Sequence, residues 1–297
     1  MELHTEMSVQ LKTELIAEAD SSVRNAIEAW LAPVFTDKAK DVDLRFFTDE
    51  TDEMAHQIRE EINDNRTSYT IYLPKENYMH LAVANIADNR QVQLSEGEHS
   101  TTMRLAMPQT RDVPSLNTGI FTARLPMMVN DSTNQVFEVH LYMVTAAVVL
   151  VLDPGSCPDL VSVSGLMHGA ADEFLVRDSS FTYSAQASIM MDNIPVKKSA
   201  PAIQRHLTAD NERLCLGAVS LPTEDNKNWK IVATATLTNN RHTTTTLTVN
   251  EPLQAGTLRI LQCKVYDNGE IQPVSKTGVG ASVELDWDEG TVIDIEM

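Results

Sequence analysis

The sequence predicts an all-β chain built as two β-sandwiches in tandem, the first carrying small helical decorations. Three observations lead there. Apolar residues alternate with polar ones in run after run, which is the period of a half-buried strand. Turn-formers such as Asn239-Asn240 and Asn268-Gly269 stand between runs. The long helices that parallel α/β units require between strands are missing from the pattern. The polar cluster "NDSTNQ" at 130–135 separates the runs into two sets, so the expected division is 1–132 and 133–297.

In the first half, residues 2–15 alternate weakly and read as a first strand. "SSVRNAIEAWLAPVF" places Val23, Ile27, Trp30 and Leu31 at helical spacing, with Ser21 or Ser22 as cap and Pro33 as stop. "DVDLRFFTD" (41–49) is a strand. "ETDEMAHQIREEIND" repeats an apolar residue at Met54, Ile58 and Ile62, and predicts one or two helical turns. "TIYLPKENYMHLAVANI" (70–86) predicts a hairpin. Tyr69, Ile71 and Leu73 share a face in its first arm; Met79, Leu81 and Val83 share one in its second. Pro74 has no N–H to give a ladder and marks the turn. "TTMRLAMP" (101–108) and "GIFTARLPMMV" (119–129) are strand-like.

In the second half, "VFEVHLYMVTAAVVLVLD" is apolar enough for one central strand, or two with a bend. "LVSVSGLMHGAADEFLV" follows, then a less regular region over 177–214. "IVATATLTNNRHTTTTLTV" (231–249) is a hairpin with Ile231, Ala233, Ala235 and Leu237 on one face. "TLRILQCKVYDNGEI" ends in a second tight turn. "VGASVELDW" aligns Val279, Ala281, Val283, Leu285 and Trp287.

Composition narrows the function. The chain carries 42 acidic and 23 basic residues, a formal charge of -19. Nucleic acid is therefore not an expected partner, because phosphate binding needs clustered basic side chains. The longest apolar stretch, 139–152, is shorter than the roughly 20 residues a membrane helix needs. No secretory signal follows Met1. Cys157, Cys215 and Cys263 are far apart and form no C-x-x-C pair. They read as buried apolar residues, with one disulfide and one free thiol as the alternative.

No catalytic, cofactor or metal site is expected. The phosphate loop, dinucleotide, zinc-protease and nucleophile-elbow motifs are absent. The eight histidines include no i, i+4 pair and read as surface or satisfied core residues. Ser164 precedes His168 by four residues, without the sharp turn and distant His and acid of a hydrolase. "DETDE" (49–53) and "DWDEG" (286–290) lack the register of a calcium loop and read as solvated acid. The threonine run "HTTTTLTV" reads as a half-exposed strand. Asn65 and Asn130 head Asn-x-Ser/Thr sites of little weight.

The order of "VDLRFFTD", "YTIYLPKENYMHLAVANIADN", "NQVFEVHLYMVTAAVVLVLD" and "VSVSGLMHGAADEF" resembles the fimbrillin superfamily of Bacteroidales, most closely its fimbrial anchor (FimB-like) subunits. "TATLTNNRHTTTTLTV", "AGTLRILQCKVYDNGEIQP" and "VGASVELDW" resemble the closing strands of that family. The likeness covers most of 41–287. It implies transthyretin-like sandwiches, and a non-enzymatic fimbrial anchor or accessory subunit acting in pilus assembly and cell adhesion. It also implies a lipoprotein of the cell outer membrane, at the cell surface and in the fimbrium. Its partners would be other fimbrial subunits, joined by β-strand addition, and the outer membrane, reached through an N-terminal lipid anchor not present in this chain. The segment 291–297, freed by Gly290 and alternating at Val292–Ile295, is the candidate added strand. No lipobox cysteine lies near Met1, and residues 15–33 are more helical than the family leads one to expect. The alternative function is an outer-surface carbohydrate-binding module, although Trp30, Trp229 and Trp287 are dispersed.

Overall fold

The computed structural model describes residues 2–4, 21–35, 39–62, 69–108, 112–130, 135–184, 188–196, 213–238, 240–274 and 281–284. In chain order the elements begin with strand β1 (Glu2–His4), helix α1 (Ser21–Leu31), β2 (Asp41–Thr48), β3 (Met54–Glu61) and β4 (Asn77–Ala84). Then come β5 (Gln93–Leu94), a 3-10 turn over Ser100–Thr102, β6 (Arg104–Ala106), β7 (Asp112–Pro114) and β8 (Phe121–Met128). The next group is β9 (Glu138–His140), β10 (Tyr142–Met143), β11 (Ala146–Asp153), β12 (Leu160–His168), β13 (Glu173–Leu175) and β14 (Ser180–Thr182). Short strands β15 (Ser188–Met190) and β16 (Asp192–Ile194) precede β17 (Leu214–Ser220), β18 (Trp229–Leu237), β19 (His242–Val249) and β20 (Thr257–Val265). The series closes with β21 (Ile271–Pro273) and β22 (Ala281–Glu284).

These strands form sheets that face one another. The first is five-stranded, ordered β10-β8-β4-β2-β3. A six-stranded sheet runs β16-β17-β11-β20-β21, with β22 also beside β20. A second five-stranded sheet runs β19-β18-β12-β15-β7, and a four-stranded one runs β14-β13-β6-β5. β1 pairs in parallel with β9. The chain is therefore all-β and sandwich-like, as its alternation predicts.

The central strand is β11. Its neighbours are antiparallel β17 and parallel β20. Ala146 through Leu152 are all buried. Two covered faces explain why this stretch is continuously apolar. On one face, Gly165 of β12 approaches Leu216 of β17. On the other, Gly217 leaves room for the indole of Trp30 from α1. The helix thus covers a strand of the second half, although its sequence position puts it in the first. A Cβ at Gly217 would lie 2.6 Å from the Trp30 ring and 2.8 Å from Ile194. Gly217→Val should cost about 1–3 kcal/mol by overpacking. An unshifted urea midpoint would show that α1 does not seat there.

Several expectations need correction. Residues 54–61 form strand β3, not helical turns. Apolar side chains four apart also share a face of a strand, and Asp52 adopts φ 58° in a tight turn that hands β2 to β3. The arm 69–73 forms no strand, and the hairpin across Pro74 does not exist. β4 already has β2 on one side and β8 on the other, so neither edge is left for it. Residues 100–102 are a 3-10 turn. The long apolar run is three strands rather than one or two. β9 and β10 stand outside the sheet of β11, and β10 returns to pair with β8.

Other expectations agree with the structure. α1 buries Val23, Ile27 and Leu31. Ile231, Ala233, Ala235 and Leu237 are buried, and Asn240 turns their hairpin at φ 57°. Gly269 turns the next at φ 83°. Most of the strand expected over 2–15, the face around Leu285 and Trp287, and the segment 291–297 lie outside the described residues.

Strands are shared across residue 132. β6 pairs with β13, β7 with β15 and β8 with β10.

Candidate assembly surfaces

On β2, alternation puts Asp43, Arg45 and Phe47 on one face. Arg45 is fully buried and Asp43 nearly so. The Arg45 Nε and Nη2 donate to the two Asp43 oxygens at 2.9 and 3.0 Å. Its Nη1 donates to the Ser95 and Glu96 carbonyls at 2.8 and 2.7 Å. Gln57 and Arg59 of β3 also donate to the Asp43 carboxylate. Burial alone would raise the Asp43 pKa; the hydrogen bonds from Arg45, Gln57 and Arg59 outweigh it and bring the pKa below its usual value. Gly97 crosses above Arg45 at φ 55°, and a Cβ there would lie 2.8 Å from Nη1. The cluster ties the segment ahead of β6 to the first sheet.

A second tie joins the two halves. Asp52 accepts hydrogen bonds from the Ser100 hydroxyl, from Thr101 Oγ1 at 2.8 Å and from Arg177 Nη1 at 2.8 Å. The "DETDE" loop, expected to be solvated acid, is therefore pinned at Asp52 by groups far away in sequence. Arg124 donates to the Arg177 carbonyl at 2.9 Å, and Arg104 pairs with Glu173 at 3.1 Å. Three arginines thus stitch the β13–β14 region to the first half.

The residues that the sequence singles out for possible chemistry are not brought together into a site. Ser164 and His168 lie on one strand four residues apart, about 13 Å at strand rise, too far for proton transfer. Cys157, Cys215 and Cys263 are free and buried. Burial pushes Cys215 up to about 11 and Cys263 up to about 12, so both are protonated thiols at neutral pH. Among the described residues no group of His, Cys, Asp and Glu could hold a metal ion. "DWDEG", Asn65 and the rest of the Asn130 motif fall outside the described residues.

His80 departs from the expectation of a satisfied core histidine. It stacks on Phe46 with centroids 4.4 Å apart. Its Nδ1 lies 3.0 Å from the Arg45 carbonyl, which can only accept, so Nδ1 carries the proton. Its Nε2 is buried without a partner. The period-two pattern places His80 opposite Met79 and Leu81, but nothing in it marks both faces as covered.

Sheet edges are among the described surfaces that a partner could use. Among the described residues β3 and β19 each pair on one side only. β3 guards its edge with His56, Arg59 and Glu61. β19 has no carboxylate, lysine, arginine or proline along its eight residues. Thr243 and Thr245 turn inward, to the Asn268 carbonyl and the Ile271 N–H. Thr244, Thr246 and Thr248 face outward. β19 is the less guarded edge.

This stacked-sheet fold recurs in solved structures. A candidate polysaccharide-binding protein from Bacteroides thetaiotaomicron matches 82% of this chain and 92% of its own, with TM-score 0.56 and 10% identity. A candidate adhesin from Bacteroides ovatus matches 82% and 88%, with TM-score 0.55 and 13% identity. Both likenesses define the fold class. No curated protein sequence matches. The model of the Mfa2 family, Fimbrillin-A associated anchor proteins Mfa1 and Mfa2, matches residues 31–197. That span is more than half of the sequence, and the chain belongs to this family.

Proposed function

We propose that the chain is a cell-surface anchor or accessory subunit of a fimbria, serving pilus assembly and adhesion rather than catalysis. The observation that carries this is the family match over 31–197. The interwoven sheets and the lack of an assembled catalytic group among the described residues support it. Deleting the gene in the source bacterium should release fimbriae into the medium or alter their length. Fimbriae of normal length and retention would count against the role.

The outer membrane is the proposed location, reached through an N-terminal lipid anchor. Assembly is proposed to occur by strand addition, with residues 291–297 as the donor and the β19 edge as an acceptor of such a segment. An open edge presents unpaired N–H and C=O groups to an extended partner. A chain lacking 291–297 should keep its melting temperature and lose binding to a purified stalk subunit. Lost stability would instead make the segment a strand of its own fold. The transthyretin-like description and the division at 132/133 are proposals too. Two calorimetric transitions would support that division; a single one would remove it.

A carbohydrate-binding role is the second reading. It is favoured by the B. thetaiotaomicron structure, described as a candidate polysaccharide-binding protein. Specific retention on a glycan array would support it over assembly alone.

A further inference from the structure

The sheet β19-β18-β12-β15-β7 packs one face on β17, where Gly165 meets Leu216, and turns the other outward. Its outward side chains form rows across the strands. Thr244, Thr234 and Ser164 make one row, with the two threonine hydroxyls 3.1 Å apart. The next row, Val232, Leu166 and Met190, is apolar, and Met190 is 39% exposed. In the row beyond, Lys230 pairs with His168, His168 with Ser188 and Ser188 with Asp112. The chain carries 42 acidic residues, yet Asp112 is the one carboxylate in these five strands. Lys230 and Asp112 are both exposed. They stand three strand spacings apart in their row, about 14 Å, too far to pair within one copy.

We propose that this outward face packs against the same face of a second copy of the chain, about a two-fold axis running along β12. Two molecules of charge -19 repel one another, and they come together most easily where carboxylates are sparse. The axis exchanges the two sides of β12. Lys230 of each copy then falls within one strand spacing, about 5 Å, of Asp112 in the other. The single cation and the single carboxylate of the row are both answered at once, which is the self-complementarity of an isologous dimer. Three long strands about 4.8 Å apart and four rows deep, with two short strands beside them, give roughly 500 Å² of plan area per copy. Side-chain relief raises the buried total for a pair to the order of 1,200 Å², the lower bound of a standard stable interface. The apolar row supplies the dry strip between two aligned sheets. This contact leaves the β19 edge free, since the edge offers backbone groups and the face offers side chains.

Sedimentation velocity of the full chain should show a dimer from micromolar concentration upward. A monomer at every concentration up to the solubility limit would overturn the proposal. K230E should raise the dimer dissociation constant about tenfold or more, because both cross-copy pairs become repulsive. The charge-reversed variant D112K/K230E should restore the dimer; a failure to restore it would overturn the two-fold arrangement. S162E/S164E places carboxylates on β12, two strands in from the β19 edge. It should sediment as a monomer with unchanged circular dichroism, since both serines are exposed. A dimer that survives in this variant pairs through its edge, and the face is then not the interface. S162N/S164N adds bulk without charge and should keep more dimer than S162E/S164E; equal loss from the two would overturn the electrostatic basis.

Discussion

Arg45→Met should destabilise the protein by about 3–5 kcal/mol, the range for breaking one side of a buried ion pair. Three losses coincide. The Ser95 and Glu96 carbonyls lose their donor. Asp43, only 3% exposed, keeps Gln57 and Arg59 but loses its bidentate partner. The turn at Gly97 loses the guanidinium it is draped over. A partial compensation is expected from the apolar methionine stem. The double variant Asp43→Asn, Arg45→Met should therefore be less damaged than the sum of the single changes, since the uncompensated charge is gone. Guanidinium denaturation of the four proteins closes the cycle. Additive costs would show that Asp43 and Arg45 do not act as a pair.

A second large effect is expected from acid. Burial lowers the pKa of His80 from 6.5 to about 4, only partly offset by its bond to the Arg45 carbonyl. The unfolded chain then binds a proton that the folded chain refuses between those values, so stability falls as pH drops from 6.5 toward 4. The full difference is worth about 3 kcal/mol. Protonation would place an N–H at Nε2, where no acceptor waits, and a charge against Phe46. Unfolding free energies at pH 7 and pH 4.5 should differ by most of that amount. His80→Phe should flatten the dependence, since it keeps the stack and removes the titration. A variant as pH-sensitive as wild type would move the cause to other groups.

Periodicity locates the strands that can be recognised by their faces. β2, β8, β11 and β18 are legible because one side chain in two, or nearly every one, is apolar, and β19 follows from the tight turn and its run of threonines. Residues 54–61 are ambiguous, since Met54, Ile58 and Ile62 fit a helix face and a strand face alike. The missing hairpin at 69–73 shows a different limit. Alternation in an arm says nothing about whether its neighbour's edge is already taken, and β4 has two closer partners. The Asp43–Arg45 cluster leaves a faint signal: two opposite charges at i, i+2 on the same face as Phe47. Only the covering segment 95–97 reveals that the face is buried. Asp52 and Arg177 are 125 residues apart, and no local rule could join them. The unguarded β19 edge is legible as a threonine strand, but its position at the sheet margin depends on strand order.

The sharing of strands across residue 132 has a temporal meaning. β2, β3, β4 and β8 find one another within the first 128 residues and can assemble as that stretch of chain appears. β7 cannot. Asp112 waits for Ser188, 76 residues later, and β6 waits for β13. Closing such long loops is entropically costly and slow. The early half therefore carries β7 unpaired and one edge of β6 open, its other edge being paired with β5, for as long as the later half is still arriving. A chain made residue by residue would keep β7 unpaired until about residue 190, the end of β15, and central β11 without either neighbour until β17 and β20 had followed. The core of the second half is thus closed last, by strands from the final third of the sequence.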